Sequence, residues 1–118
     1  MKTVNDYKQA TKNYGEHWDV AFRCFVDDFR VASDTSSVLA DPLLPDSPQI
    51  DALFASTIEA LCDEKGIDPP AWVWSVPGLQ EPWFVCGLEG YKAVLIAESP
   101  VQFRRRLVFV SRDFLSRV

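Results

Sequence analysis

One helix is marked at both of its ends in the sequence, and it constrains the fold more than any other segment. Ser47 precedes Pro48, and this pair is typical of a helix N-cap followed by the first helical residue. Gly66 ends the pattern, because glycine readily adopts the left-handed conformation that closes a helix. The apolar residues between them recur at helical spacing and are Ile50, Leu53, Phe54, Ile58, Leu61 and Cys62. The sequence therefore predicts one well-defined helix between Ser47 and Gly66.

A second helical pattern runs from Val4 to Phe29. Its apolar and aromatic residues recur in steps of three and four, which is typical of an amphipathic helix. Gly15 costs about 1 kcal/mol relative to alanine in a helix. The segment is therefore either one long helix or two helices with a break near residues 13–15. Residues 34–45 are rich in Ser, Asp and Pro, and we expect a loop there with one helical turn at residues 37–40.

Prolines dominate the next part of the chain, from Ile67 to Pro82. Four of them in this span prevent a continuous helix. We expect an ordered loop that is held by Trp72 and Trp74, with at most one helical turn near residues 70–72.

The remaining residues predict short elements. Apolar residues from about Cys86 to Ala97 indicate a mostly buried helix. Ser99 followed by Pro100 predicts the N-cap of a short helix over residues 101–106. Residues 107–110 should be extended or end that helix, and Ser111 should cap a final turn.

These elements define the fold class. A chain of 118 residues with 47% apolar residues can bury its own core as one domain. We expect an all-α, or nearly all-α, single domain over residues 1–118, built as a bundle of about four or five helices. Residues 1–46 would hold the N-terminal amphipathic helix and a loop, and residues 47–118 a helical module.

The charge of the chain is distributed unevenly. Residues 13–98 carry fifteen acids and four bases, whereas residues 99–118 carry five arginines and one acid. An acidic body repels phosphate backbones, so a general nucleic-acid binder is not expected.

The sequence contains no recognisable catalytic or metal-binding pattern. His17 is the only histidine, and Cys24, Cys62 and Cys86 are far apart, so neither a nucleophilic triad nor a zinc site is expected. We predict no enzyme activity and no cofactor. An apolar run long enough to span a membrane is missing, and we expect a cytoplasmic protein.

The triplet Arg104-Arg105-Arg106 has three interpretations. The arginines could contact phosphates of a nucleic acid, with Phe103 or Phe109 stacking on a base. They could bind carboxylates of a protein partner. They could also pair with acids of the chain itself, which has them in excess.

Four aromatic residues present a similar choice. Trp72, Trp74, Trp83 and Phe84 either fill space between helices or form an exposed patch for a partner, since tryptophan is typical of binding hot spots.

The C-terminal third also resembles a known module. Pro82-Trp83-Phe84, Glu98-Ser99-Pro100, Phe103-Arg104-Arg105-Arg106 and Phe109-Val110 are similar to motifs of a bacterial antitoxin-like family. These antitoxins accompany nucleotidyltransferase-like toxins of the abortive-infection type. The similarity covers roughly residues 50–118, and the helix-turn-helix that precedes the module in some relatives is not recognisable here.

The resemblance implies a non-enzymatic protein that binds and neutralises a cognate toxin. It implies six partner-binding residues, which are Trp83, Phe84, Phe103, Arg104, Arg105 and Arg106. The alternatives are a small nucleic-acid-binding regulator that uses Arg104–Arg106, or a protein with a purely structural role. A homodimer is a further expectation.

Overall fold

The protein is a mostly helical domain, as the sequence predicts. The structure, a computed structural model, describes residues 3–85, 92–111 and 114–115. Its α-helices are α1 (Val4–Asn13), α2 (Trp18–Val31), α3 (Ser36–Leu39), α4 (Pro48–Lys65), α5 (Lys92–Glu98) and α6 (Val101–Arg104). Two 3₁₀ helices, Gly15–His17 and Ala71–Ser75, and two strands, β1 (Trp83–Phe84) and β2 (Val108–Phe109), complete the described part.

The N-terminal amphipathic pattern forms two helices with a break between them. Thr3 begins α1 with a capping box in which its backbone and side chain exchange hydrogen bonds with Asp6. Gly15 has a φ of 58°, in the left-handed region that suits glycine. The chain therefore leaves the helical path there, and α2 begins three residues later with the apolar stripe continued on it.

Helix α4 lies at the centre of the core. Residues 52–59, 61 and 62 are all buried, so neighbouring elements surround the helix on most of its circumference. Phe54 on α4 packs edge-on against Phe22 of α2, with ring centroids 5.6 Å apart, and also contacts Phe25 at 5.3 Å. This aromatic cluster joins the N-terminal helices to the rest of the domain.

The predicted ends of α4 are confirmed. Pro48 is its first residue, with Ser47 at the N-cap position, although the Ser47 side chain makes no capping hydrogen bond. Gly66 ends the helix with a φ of 72°. The backbone N–H of Ile67 then donates to the carbonyl of Cys62 at 3.0 Å, which completes a glycine C-cap.

The N-terminal helix is attached to the α4 region by polar contacts. The buried Lys8 side chain donates to the carbonyl of Leu44 and forms an ion pair of 3.1 Å with Asp51. Asn5 donates to the carbonyl of Pro42 at 3.0 Å and accepts from the N–H of Leu44 at 2.8 Å. These bonds fix the loop before α4.

Two short strands form a parallel pair that the sequence did not indicate. Trp83 is paired with Val108, and Phe84 with Phe109. The segment at residues 107–110 was expected to be extended or to end a helix, and β2 confirms the extended form. Leu107, with a φ of 62°, turns the chain from α6 into β2.

The prediction of a mostly buried helix before Ala97 is wrong. Helix α5 is present, but Leu95 is its one buried residue among those described, while Val94 and Ile96 are 44% and 47% exposed. Residues 86–91, where the prediction began, lie outside the described residues. Apolar content alone suggested burial, but it does not provide a neighbouring element, and of the described residues of α5 only Leu95 is buried.

The predicted role of Ser99 as the N-cap of α6 is also wrong. Pro100 occupies the N-cap position. The buried Ser99 hydroxyl instead lies 2.6 Å from the carbonyl of Leu95 and accepts from the N–H of Val110 at 2.8 Å. Ser99 therefore ties the end of α5 to the strand that follows α6.

At the C-terminus, a turn includes Phe114 and Leu115, and the N–H of Phe114 donates to the carbonyl of Ser111 at 3.1 Å. Across residues 3–85, 92–111 and 114–115, none of the helices is both long and apolar enough to cross a membrane.

Candidate functional site

Helix α6 and the turn after it separate the arginine triplet into two sides. Val101, Arg104 and Arg105 are exposed, at the i, i+3 and i+4 positions that share one helix face. Phe103 and Arg106 point inward, with exposed fractions of 0% and 5%. The three arginines therefore do not form one continuous basic patch.

Arg106 is held inside the protein by three acceptors. Its Nη1 donates to Glu59 Oε1 at 2.8 Å and to the carbonyl of Gln102 at 3.1 Å. Its Nη2 donates to the carbonyl of Val73 at 3.2 Å. Glu59 itself is buried on α4. Arg106 thus connects α4, α6 and the 3₁₀ helix Ala71–Ser75.

Arg105 uses the other oxygen of the same carboxylate. Its Nη1 lies 3.0 Å from Glu59 Oε2, and about half of its side chain remains exposed. The guanidinium carbon lies 5.7 Å from the ring centroid of Trp74, within the range of a cation–π contact. Two fixed contacts therefore hold Arg105 in place at the surface.

Trp74 is the exposed member of the predicted aromatic cluster. Its side chain is 56% exposed. By contrast, Trp72 is half-buried and its indole N–H donates to the carbonyl of Leu39 at 3.1 Å. We call the exposed group of Trp74, Val101, Arg104 and Arg105 the Trp74–Arg105 surface.

Trp83 and Phe84 lie on the short strand β1, and both are half-buried. Trp83 packs against Trp18 with ring centroids 6.4 Å apart, and Phe84 stacks on Phe109 at 5.1 Å. The ammonium of Lys92 lies 5.2 Å from the Phe84 ring centroid. Both rings therefore have fixed neighbours in the fold, and each keeps part of its surface accessible.

The structure thus distributes the six predicted site residues over different environments. Arg105 and Arg106 meet at Glu59, and Arg104 extends into solvent beside them. Phe103 is part of the core, where its ring packs edge-on against Phe114 at 5.9 Å. In this conformation Phe103 and Arg106 present no side-chain surface to a partner.

Three residues of this region were not among the six site residues selected from the sequence: Glu59, Trp74 and Val101. Trp74 was considered only as one of four aromatic residues that could either fill the core or form an exposed patch. Glu59 lies in the apolar middle of α4, and a carboxylate at such a position needs a positive partner. The position of Glu59 in the sequence could therefore have predicted an internal ion pair. It did not identify the arginine, because residues 47 positions apart are brought together only by the fold.

The titratable groups show no catalytic arrangement among the residues that the structure describes. The His17 side chain is 73% exposed, and it lies 3.6 Å from Glu16, whose side chain is 89% exposed. Burial raises the pKa of the Cys62 thiol to about 11, and the neighbouring carboxylate of Asp63 adds to this effect. Cys62 is therefore a protonated core residue at neutral pH, unlike an activated nucleophile.

The pKa of Tyr7 is also raised, first by burial and then by its hydrogen bond to Asp28, whose Oδ2 accepts at 2.7 Å. Within the described residues, no group of three or more His, Cys, Asp or Glu side chains is placed to hold a metal ion.

Comparison with known proteins gives no significant match: no family model, no curated protein and no solved structure is similar to this chain.

Proposed function

We propose that this chain is a non-enzymatic protein-interaction module that binds its partner through the Trp74–Arg105 surface. The observation that carries the proposal is an exposed tryptophan with an arginine fixed over its ring. Tryptophan and arginine are the residue types most enriched at binding hot spots. Val101, 53% exposed on the same face of α6 as Arg104 and Arg105, adds apolar area beside them.

The fixed position of Arg105 supports the proposal energetically. Its guanidinium is held by Glu59 Oε2 and by the ring of Trp74 before any partner arrives. Immobilising a free arginine side chain on binding costs about 0.5–1.5 kcal/mol in lost conformational entropy. Arg105 has already lost most of this freedom in the folded chain, so binding adds little further cost. The surface is therefore preorganised for a planar acceptor such as a carboxylate.

The charges of this surface favour an acidic partner. Glu59 carries one negative charge between Arg105 and Arg106, and Arg104 adds another positive charge outside. The local balance is positive on a chain whose formal net charge is −5. A partner that offers carboxylates here would be attracted to this surface in preference to the rest of the molecule.

The more specific part of the proposal is an antitoxin that neutralises a nucleotidyltransferase-like toxin in the bacterial cytoplasm. It is supported by the resemblance of the C-terminal motifs and by the hot-spot character of the surface that they help to build. Of the residues that the resemblance implies, Arg104, Arg105, Trp83 and Phe84 keep accessible area in this structure.

A homodimer is supported by a different surface, on α5. Residues 93–97 carry no charge, and the exposed residues Ala93, Ile96 and Ala97 stand at positions i, i+3 and i+4, so they share one face of the helix. An uncharged apolar face can meet a second copy of itself without repulsion. Sedimentation velocity over a hundredfold range of protein concentration tests this; a sedimentation coefficient that does not change over that range contradicts it.

The nucleic-acid alternative is weakened by the burial of Arg106, which removes one of the three arginines from the proposed phosphate contact. It is also weakened by the net charge of −5, because an acidic chain repels a phosphate backbone. Titration with DNA and RNA at two salt concentrations decides it, because binding through phosphates must weaken steeply as salt rises.

Co-expression tests the main proposal. The chain is co-expressed with the product of the neighbouring gene, and growth and co-elution are measured. We expect co-elution and rescue of growth with the wild type, and loss of both with Trp74→Ala. Val31→Ala is the matched control, since Val31 is an apolar residue 83% exposed on α2. Absence of both co-elution and rescue with the wild-type chain contradicts the antitoxin proposal and leaves the nucleic-acid-binding and the purely structural alternatives.

A further inference from the structure

The 3₁₀ helix Ala71–Ser75 has three distinct sides. In a 3₁₀ helix, residues three positions apart lie one above the other. Val73 is buried and anchors the helix to the core, Trp72 and Ser75 share a second side, and Trp74 occupies the third beneath Arg105. Trp72 and Trp74 therefore lie on two neighbouring sides of the same short helix, and Val73 occupies the buried side.

The side of Trp72 and Ser75 forms a wall of an apolar cleft with a volume of about 220 Å³. The cleft lies between the 3₁₀ helix, the loop before α4 and the start of α4. Its other main walls are Pro42, Pro45, Val76 and Pro77. Proline fixes its own φ angle, and the Asn5 side chain holds the backbone of Pro42 and Leu44. The cleft is therefore preformed and loses little entropy when it is filled.

The charged groups beside the cleft neutralise one another. Asp51, which lines it, is paired with Lys8 at 3.1 Å, and Asp46 is paired with Lys12 at 2.9 Å. Arg105 lies on the Trp74 side of the same 3₁₀ helix, and the exposed Arg104 next to it in the chain adds a second positive charge. A ligand that lies across the 3₁₀ helix Ala71–Ser75 thus meets the apolar cleft on the Trp72 side and the arginines on the Trp74 side.

We propose that this cleft receives an apolar side chain from an acidic segment of the protein partner, whose carboxylates contact Arg104 and Arg105. The inference rests on the proposed interaction function and adds to it the chemistry of the partner segment: a leucine- or phenylalanine-sized side chain next to Asp or Glu. The cleft supplies the apolar selectivity, and the arginines select the sign of the charge.

The test uses the indole N–H signals of Trp72 and Trp74 in two-dimensional NMR spectra of the whole chain. Three probes share one apolar group and differ in charge: phenylbutyrate, phenylbutanol and phenylbutylamine. We expect phenylbutyrate to shift both indole signals saturably, with a dissociation constant on the order of 1 mM for a ligand of this size. Phenylbutanol should bind about threefold more weakly, since one exposed ion pair is lost, and phenylbutylamine should be weakest.

Two variants locate the probe. Ser75→Phe fills the cleft from an exposed position and should abolish the shift of the Trp72 signal. Arg104→Gln should reduce the preference for phenylbutyrate over phenylbutanol. Arg23→Gln, on α2, is the control for loss of a positive charge outside the cleft and the Trp74–Arg105 surface. If the spectrum of Ser75→Phe shows loss of folding, Pro45→Gln, which places a polar group at the exposed rim, replaces it with the same expected loss of binding.

Three results would overturn the inference: no saturable shift of the Trp72 signal, equal or tighter binding of the amine, or unchanged binding by the cleft variant. The co-expression assay separates this failure from failure of the proposed function. A partner that depends on Trp74 but tolerates Ser75→Phe leaves the interaction module intact and removes the cleft.

Discussion

Glu59 and Arg106 form a 2.8 Å ion pair in the interior of the domain, where each side chain is about 5% exposed. The same carboxylate also accepts Arg105 from the surface side at 3.0 Å. One buried acid therefore determines which arginine of the triplet is internal and which is available to a partner.

Separating this pair should destabilise the protein strongly. Glu59→Leu leaves the buried Arg106 without its counter-ion and should lower the free energy of unfolding by about 3–5 kcal/mol. Arg106→Met should cost less, because Arg105 still pairs with Glu59. The double variant should recover most of that loss, because it leaves neither charge buried. Urea denaturation measures all four proteins, and additive losses in the double variant would contradict a direct interaction.

The stability of the domain should decrease at alkaline pH through Cys62. Its pKa is 9.0 when exposed and is raised to about 11 in the fold. Between these values the unfolded chain loses the thiol proton while the folded chain keeps it, so the unfolded state binds fewer protons and stability falls as pH rises. Below pH 9 the contribution is fully present.

Chemical denaturation between pH 8 and 11 measures this effect. The wild type should lose on the order of 2 kcal/mol more than Cys62→Ala over the window. Equal slopes for the two proteins would contradict the assignment. The raised pKa of Tyr7 acts in the same direction at higher pH, and Tyr7 is present in both proteins.

Gly66→Ala tests the end of α4. A Cβ at this position meets nothing within 4 Å, so the expected loss comes only from the φ of 72°. We expect a decrease of about 1 kcal/mol in the free energy of unfolding. Gly15→Ala, at a φ of 58° and also in open space, should cost a similar amount. A neutral effect at both positions would indicate that the chain relaxes there.

Trp74→Ala should separate binding from stability. Because more than half of the side chain is exposed, the free energy of unfolding should change by less than about 1 kcal/mol. Binding to the cognate partner should weaken at least about thirtyfold, the effect of a hot-spot residue. Calorimetric titration with the partner measures the affinity, and a change no larger than that of Val31→Ala would exclude Trp74 from the interface.

Ile96→Glu should dissociate the proposed homodimer. The substitution places like charges on both copies of an apolar face, and the residue is 47% exposed, so folding should be retained. Light scattering at high protein concentration should report a dimer for the wild type and a monomer for the variant. A monomeric wild type at these concentrations would contradict the homodimer.

Elements with local signals were predicted well. The proline at the start of α4 and the glycine at its end act on the backbone of their own residues, so the fold has little power to move those boundaries. Gly15 likewise sets the break between α1 and α2 through the φ angle of its own backbone. The spacing of apolar residues then identified the side of α1 and of α2 that packs against the core.

Whether a side chain is buried depended on neighbours that are distant in sequence. Ser99 resembles an N-cap locally, but its hydroxyl bonds to Val110 because β2 returns beside it. The apolar α5 was expected to be buried, yet burial requires another element to cover it, and periodicity does not supply one. The parallel pairing of β1 with β2 has the same origin.

The sequence by itself determined the fold class, the limits of the main helices and the uneven distribution of charge, because these follow from local backbone preferences and composition. Only the tertiary structure decided which arginine of the triplet is internal, which tryptophan is exposed, and where an apolar cleft lies beside them. The reason is that Glu59, Val73 and Arg106 meet through contacts between residues far apart in the chain, and such contacts are formed by packing as a whole.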